Sequence, residues 1–223
     1  MNQTAKSMAQ TIELSPISDA DLRPEPSIWL PALKLFILLS VITGIAYPLA
    51  VTGIAQLLMP ASANGGLIDR GGEMVGAKLI GQAFSGANYF WSRPSATGPT
   101  AYNASASSGS NLGPSNPALH SAIAERVALM RAAHPMQLDA NGASARVPVD
   151  LVTTSASGLD PHISVAAANY QLARVASARG LQAPQVQALI NQHTLGVQFG
   201  FLGEPRVHVL GLNLALDERV LKQ

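Results

Sequence analysis

Ser155, Ser157, Asp160 and His162 lie within one eight-residue stretch and supply the residue types of a hydrolytic triad: a hydroxyl nucleophile, an orienting carboxylate and an imidazole base. Triads are defined by geometry and are usually assembled from distant segments, so nearness along the chain is weak support. The sequence contains no G-x-S-x-G elbow, S-x-x-K, H-E-x-x-H, Walker A or G-x-G-x-x-G motif. Its five histidines, at 120, 134, 162, 193 and 208, stand singly, without the i, i+4 pairing of a helical metal site. There is no cysteine, which removes disulfides, thiolate metal sites and cysteine nucleophiles. A membrane-anchored serine hydrolase therefore stands only as an alternative. The same residues read more simply as a turn at Asp160-Pro161 leading into a helix capped by Ser164.

These residues belong to the second of two polar loops, Asp150–Ser164; the first is Ser92–Pro117. A loop of about 25 residues inside a compact domain is usually functional or disordered. Its aromatic flank Tyr89-Phe90-Trp91, in a chain with 5% aromatic residues, favours an ordered loop beside a core or an interface. Around the loops, Lys78–Phe84 and Val147–Thr154 read as strands, and Val207-His208-Val209-Leu210 alternates like one. Asn116 with Pro117 is a helix start, and Leu119, Ile123, Val127 and Met130 give that helix its apolar face up to about Ala133. Further helices are expected over Val165–Arg179, closed by Gly180, and from Pro184 to about His193. Asp139-Ala140-Asn141-Gly142 reads as a turn.

All of this follows Leu35–Met59, 25 residues without a charged side chain. As a helix it is roughly 37 Å long, enough to cross a hydrocarbon core of about 30 Å. It is too long for a secretory h-region, so Ala61-Ser62-Ala63 is read as lying beyond an uncleaved anchor. Trp29 and Lys34 fit a membrane boundary, and the basic residues Arg23 and Lys34 before the span, against Arg70 after it, favour a cytoplasmic N-terminus. Ser40, Gly44, Pro48, Thr52 and Gln56 recur at every fourth residue as a small, polar stripe of the kind that joins helices in lipid, and Pro48 is expected to kink the helix. The chain thus divides into a mobile tail (1–27), a transmembrane helix (28–59), a linker (60–66) and one α+β domain of mixed helices and strands (67–223).

The charge balance implies no nucleic-acid partner. Asp69–Gln223 carries 11 basic and 9 acidic residues, too even for a nucleic-acid footprint. Charged residues make up 12% of the whole chain, about half the usual share, which suits either a subunit with a large permanent contact or an Ala-rich genomic bias. A self-associating anchored receptor is the rival binding class.

Four stretches carry a family resemblance: Tyr89-Phe90-Trp91-Ser92-Arg93-Pro94-Ser95, Tyr102–Pro117, Leu151–Ser164 and Gly200-Phe201-Leu202-Gly203-Glu204-Pro205-Arg206-Val207. In this order they closely resemble the KdpC family, the C subunits of the bacterial Kdp potassium-transporting ATPase, from the span to the C-terminus. Val165 stands where the family often has proline, and His208 where it often has asparagine. The resemblance implies a non-catalytic, single-pass subunit of the bacterial inner membrane with a periplasmic domain. Its implied partners are a potassium-binding channel-like subunit, a P-type ATPase subunit and a small single-span subunit, all within the lipid bilayer. It implies no cofactor for this chain; ATP belongs to the complex. Any help to nucleotide binding must be indirect, because the residues before Trp29 hold only Lys6 and Arg23 as cations and no phosphate-binding loop. On this reading the Ser40, Gly44, Pro48, Thr52 and Gln56 face docks on membrane partners. The subunit contacts fall to Tyr89, Trp91, Arg93, Tyr102, Asn103, Ser108, Asn111, Asn116, Asp160 and His162.

Overall fold

The computed structural model describes residues 27–135, 137–138 and 142–220. The tail before Ser27 and most of the turn expected at Asp139–Gly142 lie outside them. The chain divides into two units between Ile54 and Ala55.

The apolar run forms one helix, α1 (Trp29–Leu58), with mean hydropathy 2.1 and none of its residues buried by the rest of the chain. One turn before Pro48, where a kink was expected, the helix widens. Ile42–Ala46 is π-helical, with the Tyr47 N–H donating to the Ile42 carbonyl five residues back. Proline lacks the N–H that an α-helix needs and its ring crowds the carbonyl four residues before it, and a π turn accommodates both defects. It also changes the phase of the stripe. Residues spaced by four drift by about 160° from Ser40 to Gln56 in a straight α-helix. One wide turn takes up nearly 100° of that, leaving the five residues within roughly 90° of arc. Beyond α1, the Gln56 and Asn64 amides pair reciprocally, with both N···O distances 3.1 Å, across the single turn α2 (Pro60–Ala63).

The outer domain begins with the hairpin of β1 (Leu67–Arg70) and β2 (Glu73–Ala77), closed by Gly71 and Gly72, both at positive φ as a two-residue type I′ turn needs. The expected strand at Lys78–Phe84 is thus displaced; that segment makes only an isolated bridge from Ile80 to Ala77. Helix α3 (Pro117–Ala133) starts as read, with Asn116 Oδ1 accepting from the Ala118 N–H at 2.9 Å. Val147–Thr154 is not a strand: Val149–Leu151 is a 3-10 turn entered from Pro148. The Asp150 carboxylate accepts from the Ser164 N–H at 2.7 Å and from its hydroxyl at 3.2 Å. Ser164 in turn caps α4 (Val165–Arg179) through the Ala167 N–H at 3.0 Å, and Gly180 ends that helix at φ 64°.

A small antiparallel sheet, ordered β3 (His162–Ser164), β5 (Arg206–His208), β4 (Thr194–Leu195), lies beside α4, α5 (Ala183–Gln192) and α6 (Val209–Val220). Strand β3 falls where a polar loop was expected, and the expected strand over Val207–Leu210 ends at His208. Val209-Leu210-Gly211-Leu212-Asn213-Leu214-Ala215-Leu216 alternates in sequence but is helical. Its Leu212 and Leu216, four apart, are fully buried in the core cluster that also holds Val186, Ile190 and Val207.

Two amides are fully buried in that core. Asn213 accepts from the Phe90 N–H at 2.9 Å and donates to the Phe90 carbonyl at 3.0 Å. Gln171 accepts from the Trp91 N–H at 2.7 Å and donates to its carbonyl at 3.1 Å. Side chains of α6 and α4 thus pair with the backbone of Phe90 and Trp91 much as neighbouring strands would. Asn213→Leu strands a buried N–H and C=O, so we expect a loss of about 2–4 kcal/mol. At this chain length that is a fall in Tm of roughly 5–15 °C. Thermal unfolding of the full chain in detergent checks it; an unchanged Tm would contradict this role.

Candidate functional site

The two polar loops and the Gly203–Arg206 segment line a common cleft of about 620 Å3. Its charged walls are Arg93, Asp150, Asp160, Glu204 and Arg206, with His162 among them. Three of the four family-like stretches meet here although they are far apart in sequence.

Arg93 joins the loops. Its Nε donates to the Thr153 carbonyl at 3.1 Å and Nη2 to the Thr154 carbonyl at 3.2 Å, while Nη1 pairs with Asp160 Oδ2 at 3.3 Å. Asp160 Oδ1 accepts from the His162 N–H at 3.0 Å and faces the His162 ring at 3.5 Å. Burial pushes the Asp160 carboxyl up, but the hydrogen bonds from His162 and Arg93 outweigh it and hold the group below its ordinary value. Further along, Ser95 Oγ donates to the Gly158 carbonyl at 2.7 Å, and the Ser108 N–H donates to the Ser157 carbonyl at 3.0 Å. Gly158 sits at φ 68°, where a Cβ would come within 2.6 Å of Thr97 Cγ2 and 2.8 Å of the Ser108 carbonyl. Only glycine allows so close an approach in this conformation.

The serines do not form a triad with His162. The Ser155 hydroxyl oxygen accepts from the Gly158 N–H at 2.8 Å, and the Ser157 hydroxyl oxygen accepts from the Leu159 N–H at 3.2 Å. Both are turn-forming contacts. Among the described residues, no hydrogen bond joins either serine to His162, whose ring instead meets His208 edge-on with centroids 5.5 Å apart.

The structure separates the ten candidate contact residues by exposure. Tyr102 adopts φ 59°, an unusual conformation for a bulky side chain. It is held by its N–H on Ser95 Oγ and its hydroxyl on the Arg93 carbonyl. The Asn103 amide caps a 3-10 turn at Ala104–Ala106. Tyr89 bonds Asp217 at 3.3 Å beneath the Arg179 guanidinium, and the Trp91 indole N–H donates to the Gly86 carbonyl at 2.9 Å. Arg93, Asp160 and His162 are half-buried in the loop junction. Asn116 spends its amide on the helix cap, while Ser108 and Asn111 are exposed.

Sequence reasoning missed Arg174 and His134. Arg174 reaches over the Trp91 ring, 4.5 Å from its centroid, and donates to the Tyr89 carbonyl at 3.0 Å, Gln171 Oε1 at 2.9 Å and His134 Nε2 at 2.8 Å. Burial brings its pKa down to about 10, which leaves it charged at neutral pH. No local motif marks either residue; only their meeting across 40 residues of chain reveals them.

Burial favours the neutral form of His134, and its hydrogen bonds match that form. Nδ1 donates to the Met130 carbonyl at 2.6 Å and Nε2 accepts from Arg174, so protonation would set two donors face to face. His208 is fixed likewise, with Nδ1 accepting from the Gly211 N–H at 3.0 Å and Nε2 donating to the Lys78 carbonyl at 2.9 Å. Burial lowers the pKa of His134, His193 and His208. Their neutral forms are favoured by folding, so the unfolded chain binds more protons below about pH 6.5 and stability falls as pH drops through that value. Tm of the full chain in detergent should decline from pH 7 to pH 5.5, and His134→Gln should flatten part of the decline. A Tm constant over that range would contradict it.

A family model described as "KdpC: K+-transporting ATPase, c chain" matches residues 29–218. Proteins named "Potassium-transporting ATPase KdpC subunit" are similar over most of both chains. That of Variovorax paradoxus (strain S110) is 61% identical over 187 residues, covering 84% of this chain and 94% of the relative. That of Polaromonas naphthalenivorans (strain CJ2) is 62% identical over 187 residues, covering 84% and 92%. That of Methylibium petroleiphilum is 59% identical over 188 residues, covering 84% and 95%. The family match takes in α1, both polar loops and the cleft they share, and on this agreement the chain belongs to the KdpC family.

Proposed function

We infer that this chain is the non-catalytic C subunit of an ATP-driven potassium uptake complex, held in the inner membrane by α1 and contributing assembly and stability rather than chemistry. The observation that carries this reading is the fate of the chemically suggestive side chains. Arg93, Ser95 and Asp160 are spent on locking two loops together, and Ser155, Ser157 and His162 on contacts within the second. A surface so locked suits a permanent contact, because little conformational freedom is left to lose on docking.

The partners in this reading are a channel-like potassium-binding subunit, a P-type ATPase subunit and a small single-span subunit. The N-terminus is cytoplasmic and the outer domain periplasmic, which puts nucleotide on the far side of the membrane from the domain. Any influence on ATP use then passes through contacts between subunits. The exposed Ser108 and Asn111 of the first loop, and the cleft beside Arg93 and His162, are the domain's proposed contacts.

Within the bilayer, the Ser40, Gly44, Pro48, Thr52 and Gln56 face docks on a partner helix. Lipid supplies no hydrophobic force between helices, so close packing of small residues must provide the attraction. A side chain added at Gly44 would meet no atom of this chain within 4 Å. Gly44→Leu should therefore spare the isolated subunit and still lower recovery of the complex, with Thr52→Leu acting in the same direction. Pull-down of the tagged chain, with Ile45→Leu as control, measures this; recovery equal to that of the unsubstituted chain would count against docking through this face.

A further inference from the structure

The segment after β4 runs out from the domain into a tight apolar tip. The Gln198 N–H donates to the Leu202 carbonyl at 2.8 Å, and the Leu202 N–H returns to the Gln198 carbonyl at 2.9 Å. Between these bonds Phe199 and Phe201 stand 85% and 77% exposed, flanked by the exposed Leu195, Val197 and Leu202. Phe199 has φ 52°, Gly200 φ 82° and Gly203 φ 77°. A phenylalanine in the left-handed region is strained, at a cost in free energy. Nothing in the domain's own core repays that cost, because both rings point away from it.

We propose that the Phe199–Leu202 tip is a preformed plug that seats in an apolar pocket on the outward-facing surface of a membrane-embedded subunit of the same complex. This rests on the subunit reading above and adds a contact that the polar loops do not supply. The tip from Gln198 to Gly203 is uncharged, and Glu204 and Arg206 beside it cancel, so no net charge draws it to anionic lipid headgroups. Phenylalanine also lacks the polar edge with which Trp and Tyr settle at a lipid interface. A second copy of the chain fits poorly: two rings bury roughly 400 Å2, well short of the ~1,000 Å2 that a stable interface between free molecules needs. For a domain already tethered by α1 beside its partner, the effective concentration is high and so small an apolar anchor suffices.

The test uses the full chain expressed with the other subunits of the complex. Phe201→benzoylphenylalanine keeps an aromatic at the tip and, on irradiation in membranes, should crosslink to another subunit; the same probe at exposed Leu129 on α3 gives the background. Phe199→Ser with Phe201→Ser should weaken association by about tenfold or more while leaving the Tm of the chain unchanged. Crosslinking at 201 to lipid, to a second copy or to nothing, with the complex intact, overturns the plug and leaves the subunit reading standing. Failure of the unsubstituted chain to co-purify with any subunit overturns both. If the double variant does not accumulate, the crosslink alone decides.

Discussion

The outer domain depends on how the backbone of Phe90 and Trp91 is satisfied. Phe90 is fully buried and, among the described residues, no strand pairs with this segment; a buried peptide group without a partner costs a few kcal/mol. Asn213 and Gln171 supply the missing ladder from two different helices. Each binds one residue at both its N–H and its C=O, so the helices and this segment can meet in only one register. Arg174 then fixes the orientation of the Gln171 amide and spreads its own charge over oxygens of the same segment. Among the described residues it has no carboxylate partner, so removing it would leave several acceptors bare at once.

The loops inherit their order from this centre. Arg93 lies two residues beyond the anchored Trp91, and from there it reaches the carbonyls of Thr153 and Thr154 and the carboxylate of Asp160. Two segments with almost no regular structure are thereby made into one body. Polar side chains serve as scaffold here because the loops lack apolar residues to pack. Hydroxyls accept from nearby N–H groups, and glycine lets the strands of the weave approach. A cleft with several charged residues results, yet Asp150 and Asp160 already have partners within the domain.

Local signals in the sequence predicted what local physics decides. Asn116 before Pro117, Ser164 before Val165 and Gly180 after Arg179 mark helix ends because capping is settled within a few residues. The length and apolarity of α1 needed no tertiary information. The strands were legible only where pairing was not needed to define them. Val209–Leu216 alternates with period two but lies as a helix, because its neighbours cover Leu212 and Leu216 on one side and the Phe90 backbone takes Asn213. Val147–Thr154 has strand composition, but Pro148 and the bonds from Asp150 to Ser164 turn it into a helical corner. The loops were recognisable as ordered, whereas their mutual locking was not, since it joins residues some 60 positions apart. His134 and Arg174 were missed for the same reason.

The wide turn at Ile42–Ala46 gives the membrane helix an adjustable phase. A single residue gained or lost there turns everything beyond it by about 100° while leaving the length of the span within 1.5 Å. The inner and outer halves of α1 can therefore be fitted to different neighbours almost independently, each keeping its own contacts when the other is rotated. In a helix long and apolar enough to cross a bilayer, that turn works as a joint whose setting is fixed by one residue of chain length.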